Sequence, residues 1–343
     1  MNKTGRSIIR YRFAGALIAL ALSGCGIDQG GVTSPSPVTR TGGSSPLLVV
    51  GPVTGFGSVH VNGLVLETAA ADIRVDGNSV SESALREGQI IRAVAAVTST
   101  SIDAVTIDYQ RNLIGPVGVL GFDGSLIVFR QQVTTDDNTV FGDPNGTSLA
   151  DIDLSGNIEV SGYRLPSGAI RATYIGAADP AAPLTATATI NAVDAAGLTF
   201  DVDGVTVDYS QSLVIDLPMG LPDVGLVVEV RGSTTNTDGE LVADEIRVLS
   251  ARPGNVAAVD IVEDAFAPVA AADAATNRAN IVGIVTATNL PAAITLNDIT
   301  ISIDALTRFD NGDANDLAPE RLVRIEGAVT NAGIIEADVI ELL

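Results

Sequence analysis

Arg321-Leu-Val-Arg-Ile-Glu-Gly327, followed by Ile334-Ile-Glu-Ala-Asp-Val-Ile-Glu-Leu342, is the phrase on which the fold turns. Apolar and polar residues alternate through both halves, the mark of strands with one buried face, and Gly333 sits in the turn between them. The phrase recurs three times. Val227-Val-Glu-Val-Arg-Gly232 leads to Leu241-Val-Ala-Asp-Glu-Ile-Arg-Val248, and Ile158-Glu-Val-Ser-Gly162 to Ile170-Arg-Ala-Thr-Tyr-Ile175. Ile91-Arg-Ala-Val94 leads to Ile102-Asp-Ala-Val-Thr-Ile107. An alanine holds the matched place in every second strand: Ala104, Ala172, Ala243 and Ala337. Repetition of this kind decides the architecture before local propensity does.

Upstream of each phrase lies a hairpin. Asn62-Gly63, Asp203-Gly204 and Asn297-Asp298 each break a run of alternating residues, because a tight hairpin needs positive φ at its centre. In the second repeat Ser125 to Val133 takes this place without a clear two-residue turn. A short strand precedes each hairpin, at Pro52 to Gly55, Gly115 to Leu120, Thr185 to Val193 and Val282 to Thr288. A connector with a leucine or isoleucine follows it, such as Asp316-Leu-Ala-Pro-Glu320.

Five strands with a connector after the third is the chain order of an OB-like Greek-key barrel, and closure protects sheet edges. The expected fold is therefore all-β, with four tandem small five-stranded OB-like β-barrel repeats at 51–111, 112–178, 183–250 and 281–343. Tandem β-sandwiches are the alternative; those need about 100 residues each and a buried Trp, and the chain has no Trp. The Ala-rich stretch 251–280 reads as a linker or an extra strand. In this register Val230 and Ile325 point inward, while Glu229 and Glu326 point outward.

The N-terminus predicts an address. Lys3, Arg6, Arg10 and Arg12 precede an apolar run from Ala14 to Leu22, too short for a permanent membrane span. It ends in Leu22-Ser23-Gly24-Cys25, which resembles a bacterial lipobox. Residues 1–24 are thus expected to be a lipoprotein signal peptide and Cys25 the lipidation site. Residues 25–50, rich in Gly, Ser, Thr and Pro, are expected to form a flexible tether. Gly26 after the cysteine, by the same resemblance, favours the outer membrane, facing the periplasm or the cell surface. Cys25 is the only cysteine, so neither a disulfide nor a catalytic thiol is available to the exported chain.

Removal of the signal leaves 15 basic against 41 acidic residues, a net charge of −26. Nucleic acid is excluded as a partner, since phosphate binding requires Lys and Arg in excess. Such charge favours a soluble monomer.

Catalytic constellations are scarce. His60 is the only histidine, which excludes a multi-histidine metal site within one chain, and its outward place in the first hairpin reads as surface. No matched carboxylate pair recurs between repeats, and no glycine-rich phosphate loop is present. Asp310, Asp313, Asn315 and Asp316 offer oxygen ligands suited to Ca2+, and Asp136, Asp137, Asn138 and Asp143 form a looser version. Neither follows the EF-hand order, and both read as capped polar turns, so no cofactor is expected.

Thr307 to Asp310, Asp316-Leu-Ala-Pro319, Val323-Arg-Ile-Glu-Gly327 and Ala337-Asp-Val-Ile340 together resemble a bacterial family of exported proteins, often lipoproteins, built from tandem copies of a small β domain of unknown function. The resemblance runs from Gly51 to Leu343 and brings no catalytic residues. The expected function is that of a non-enzymatic, lipid-anchored envelope protein acting as scaffold, spacer or binding module, with an unidentified envelope protein or glycan as partner. An oligosaccharide or peptide binder is the second reading, and a carboxylate-based hydrolase the third.

Overall fold

The computed structural model describes residues 45–121, 124–142, 148–151, 155–215, 221–250, 277–296, 299–330 and 333–343. The signal, Cys25, most of the tether and residues 251–276 lie outside them, as do Asp143 and the Asn297-Asp298 turn.

The described chain is all-β. In the fourth repeat the first strand, Arg278–Asn289, pairs with Ala293–Leu296 and with Leu322–Val329. Ala293–Leu296 continues by hairpin into Ile299–Ser302, which lies parallel to the last strand, Ile335–Leu342. The first repeat pairs in the same way: Ser45–Gly55 meets Val59–Val61 and Ile90–Val97, and Ile102–Tyr109 closes the phrase.

Three of the matched alanines, Ala104, Ala172 and Ala337, mark bulges. Glu326 faces Val339 and Gly327 faces Ala337, leaving Asp338 unmatched. Ser161/Tyr174 and Gly162/Ala172 repeat this step, as do Val94/Thr106 and Ala95/Ala104. In the second and fourth repeats the opposing glycine is required by contact: a Cβ on Gly327 would stand 2.2 Å from the Glu336 carbonyl, and one on Gly162 would stand 2.3 Å from that of Arg171. The bulge bends the strand where small residues let the backbones meet.

Discrete OB-like barrels are not what these repeats form. The strands run on from repeat to repeat into one 13-stranded and one 14-stranded sheet, wound as a β-solenoid of about six turns. Leu47–Val50 pairs in parallel with Arg278–Ile281, joining the first repeat to the fourth. Thr185 and Ala186 pair with Ile114 and Leu113, joining the third to the second. The first junction draws on the end of the expected tether and on the stretch expected as a linker or an extra strand. Ser45–Val50 is strand, and so is Arg278–Asn280.

The burial pattern gives the physical reason. Leu47, Leu48 and Val49 are all buried, so the strand has no solvent face there. Leu47, Val49 and Val53 enter the core of the first repeat, whereas Leu48 enters that of the fourth beside Ile281 and Ile325. One core likewise spans the second and third repeats, from Leu113 and Ile158 to Phe200 and Val230. A repeat of about 60 residues buries too little surface alone, and a shared strand supplies more.

Shared strands also correct the outward assignments. Val230 and Ile325 are fully buried as expected, but Glu229 is only 1% exposed. Glu326 accepts from Asn280 Nδ2 at 3.2 Å. Asn280 Oδ1 accepts in turn from Asn62 Nδ2, the hairpin residue of the first repeat, at 3.1 Å. Side chains that point away from one core are held by partners that bind a neighbouring repeat in turn.

Leu48→Asp tests the shared strand. The substitution places a carboxylate in the core of the fourth repeat, at a cost of several kcal/mol. Limited proteolysis should therefore cut within 282–343, far from the substituted residue in sequence. Resistance of that segment would mean that the two repeats fold independently.

Candidate functional site

Charged groups cluster at two of the places where repeats meet. The first is built on Arg111, in the short joint between Ile102–Tyr109 and Leu113–Leu120. Its Nε donates to Glu159 Oε2 of the second repeat at 2.5 Å, and its Nη1 to Asp76 Oδ2 of the first. Glu159 Oε1 also accepts from Tyr109 Oη at 2.8 Å and from Gln89 Nε2 at 2.9 Å. The third repeat joins through Arg231, whose Nη2 donates to the Asp76 carbonyl at 3.0 Å and pairs with Glu229 at 2.9 Å.

Burial disfavours the charge on Arg111, but the adjacent Glu159 and Asp76 outweigh it and push its pKa up. The Tyr109 hydroxyl is pushed well up by burial and by the neighbouring Glu159 charge. Burial raises Glu229, against the lowering effect of Arg231. Each charge here is spent on holding another, and the arrangement joins three repeats rather than presenting a reactive group.

The second place is a cleft of about 490 Å3 lined by residues of the second, third and fourth repeats, among them Gly162, Arg164, Thr187, Asn191, Asp203 and Thr286. Arg164 ends the strand Asn157–Arg164 and folds back over the turn that Gly168 closes at φ +87°. Its Nη1 donates to the Gly168 carbonyl at 2.9 Å and to Asp203 Oδ2 at 2.6 Å. Its Nη2 donates to the Thr187 carbonyl at 2.7 Å and to Gln131 Oε1 at 3.2 Å. Asp203, at φ 49°, takes a second donor, Asn191 Nδ2, at 2.7 Å. Burial lowers the pKa of Arg164, partly offset by the Asp203 charge.

The residues singled out from sequence fall elsewhere. His60 is half-buried in Val59–Val61, outside both places. Asp313 and Asp316 form a reciprocal capping box on the short turn Ala314–Asp316: Asn315 N donates to Asp313 Oδ1 at 2.7 Å, and Asp313 N to Asp316 Oδ2 at 2.9 Å. Asp310 pairs with Arg308 at 2.9 Å. In the second repeat Asp136 pairs with Arg171 at 2.6 Å and caps Asn138 N. Among the described residues no group of three or more His, Cys, Asp or Glu is placed to hold a metal ion.

Sequence reasoning missed Arg111, Glu159 and Arg164. One signal was available. The strand position one before Val160 carries Arg92, Glu159, Glu229 and Arg324 across the four repeats. A charge held at one place in every copy, with its sign exchanged, marks a face with fixed partners.

Removing Arg111 as Arg111→Met leaves Glu159 and Asp76 without their cation. The expected loss is about 3–5 kcal/mol by equilibrium urea unfolding, as for a broken buried pair. Glu229 gives a test in pH. Its folded pKa lies above the ordinary 4.5, so the folded state holds its proton more tightly and the associated stabilisation is complete below that value. It is lost as pH rises through the folded pKa. The stability of wild type minus that of Glu229→Gln should therefore fall from about pH 4.5 upward; a flat or rising difference would contradict the assignment.

Three segments, residues 115–176, 187–247 and 282–341, match the model of a family described as a domain of unknown function (DUF5666). Comparison with curated proteins finds no match. The first repeat, outside the matched segments, shows the strand pairing of the others. With tandem copies covering more than half of its length, the chain belongs to the DUF5666 family.

Proposed function

We propose that this protein is a lipid-anchored, non-enzymatic repeat protein of the bacterial cell envelope, a scaffold or spacer that also presents a binding cleft. The observation that carries the address is Leu22-Ser23-Gly24-Cys25 behind a basic and then an apolar segment. Acyl chains on Cys25 would each contribute about 0.8 kcal/mol per buried methylene, enough in combination for a stable anchor. Gly26 favours the outer membrane as the destination.

The scaffold reading draws on how the charges are used. The interior carboxylates Asp76, Glu159 and Glu229 are bound to arginines of the repeat junctions. In the cleft Arg164 and Asp203 are bound to each other. A general base needs a carboxylate or imidazole within reach of a substrate proton, and these groups are committed to joining repeats. Shared strands and buried pairs make a stiff body, which suits a spacer.

Cys25→Ser tests the anchor. Metabolic labelling with a fatty acid should mark wild type and leave the variant unlabelled and unprocessed or soluble. Equal labelling of the two would overturn the lipoprotein assignment.

A further inference from the structure

We infer that the cleft beside Arg164 binds a neutral, polyhydroxylated ligand, a short oligosaccharide. The inference deepens the binding-module part of the proposed function and rests on it, and it is independent of the anchor. The volume, about 490 Å3, falls in the range of ligand sites, about 300–1,000 Å3. The location is that of a site as well, since three repeats converge there and no single repeat contains it.

Charge sets the ligand class. The Arg164 guanidinium is held by four acceptors, and Asp203 cancels its charge from inside the cleft. A charged ligand would have to break that pair to gain a partner of its own. The valences left over in the lining are neutral and of both kinds. Asn112 Oδ1 accepts from Gly162 N at 2.8 Å, which leaves its Nδ2 as a donor. Asn191 Nδ2 is spent on Asp203, which leaves its Oδ1 as an acceptor. Thr189 adds a hydroxyl that can do either. Donor, acceptor and hydroxyl around one space complement the hydroxyls of a sugar, each of which both donates and accepts.

A peptide is the less suitable occupant. Extended peptides bind chiefly by adding a strand to an open sheet edge. The wall strand Leu184–Asp194 pairs with Val227–Gly232 along Thr187 to Thr189, and on its other edge Thr187 N donates to the Asn112 carbonyl at 2.9 Å.

Calorimetry and side-chain amide NMR on the mature protein test this, with maltotriose, cellotriose and chitotriose as neutral probes and blocked tetra-alanine as the peptide. At least one saccharide should bind and shift the amide resonances of Asn112 and Asn191. Thr189→Val and Asn191→Ala should each weaken it about tenfold, Thr189→Val at unchanged melting temperature. Thr189→Val preserves shape, so its effect reads the lost hydroxyl and not a misfolded wall. The inference is overturned if none of the three saccharides binds, if binding survives both substitutions, or if tetra-alanine binds and the saccharides do not. Fatty-acid labelling is unaffected by any of these outcomes, so cleft and anchor can fail separately.

Discussion

A strand buried on both faces and paired along both edges cannot belong to one small repeat, and residues 47–49 of Ser45–Gly55 form such a stretch. It pairs with Ile90–Val97 on one side and with Arg278–Ile281 on the other. Leu47 and Leu48, adjacent in sequence, are driven into different cores because successive side chains leave a strand on opposite faces. A free edge there would carry unsatisfied backbone groups and invite pairing with another chain. Joining the first repeat to the last removes that edge without added residues, and it makes the stability of each repeat depend on a segment more than two hundred residues away.

The same economy governs the turns. Asn62 and Asp203 hold equivalent hairpin positions, where an Asn or Asp tolerates positive φ (53° and 49°). Each then uses its side chain on a different repeat. Asn62 Nδ2 reaches Asn280 of the fourth, and Asp203 receives Arg164 of the second. Asn62 is packed so closely that a Cβ on Gly51 would lie 2.1 Å from its Oδ1. A residue chosen locally to make a turn thus becomes the clamp between units, and at Asp203 the clamp also lines the cleft.

Much of the local structure was legible in the sequence. Alternation placed Val230 and Ile325 in the core, and both are fully buried. The alanines that recur at one matched place include Ala172 and Ala337, and the glycines opposite these two leave no room for a Cβ. The acidic turn at Asp313 to Asp316 read as a capped turn and contains a capping box. The barrels were not correct, for a definite reason: strand order within a repeat follows from nearby residues, whereas an outer edge is satisfied by whatever strand arrives there. Leu47-Leu-Val-Val50 was apolar enough to signal burial, but nothing local distinguished the end of a tether from the start of a shared strand.

The sequence by itself determined the all-β class, the repeats, the hairpins and the inward set, because each rests on periodicities of two and on turn chemistry spanning a few residues. The tertiary structure alone decided which repeat pairs with which, and therefore where the outward charges end. Glu229 alternates out of its own strand like any surface residue, yet it is buried because Arg231 and Arg247 on its own repeat and Asp76 on the first surround it. Arg164 and Asp203 come together only when the second and third repeats share a sheet. The cleft exists for the same reason: its walls come from repeats whose meeting depends on distant strand edges, and no window of local sequence encodes that distance.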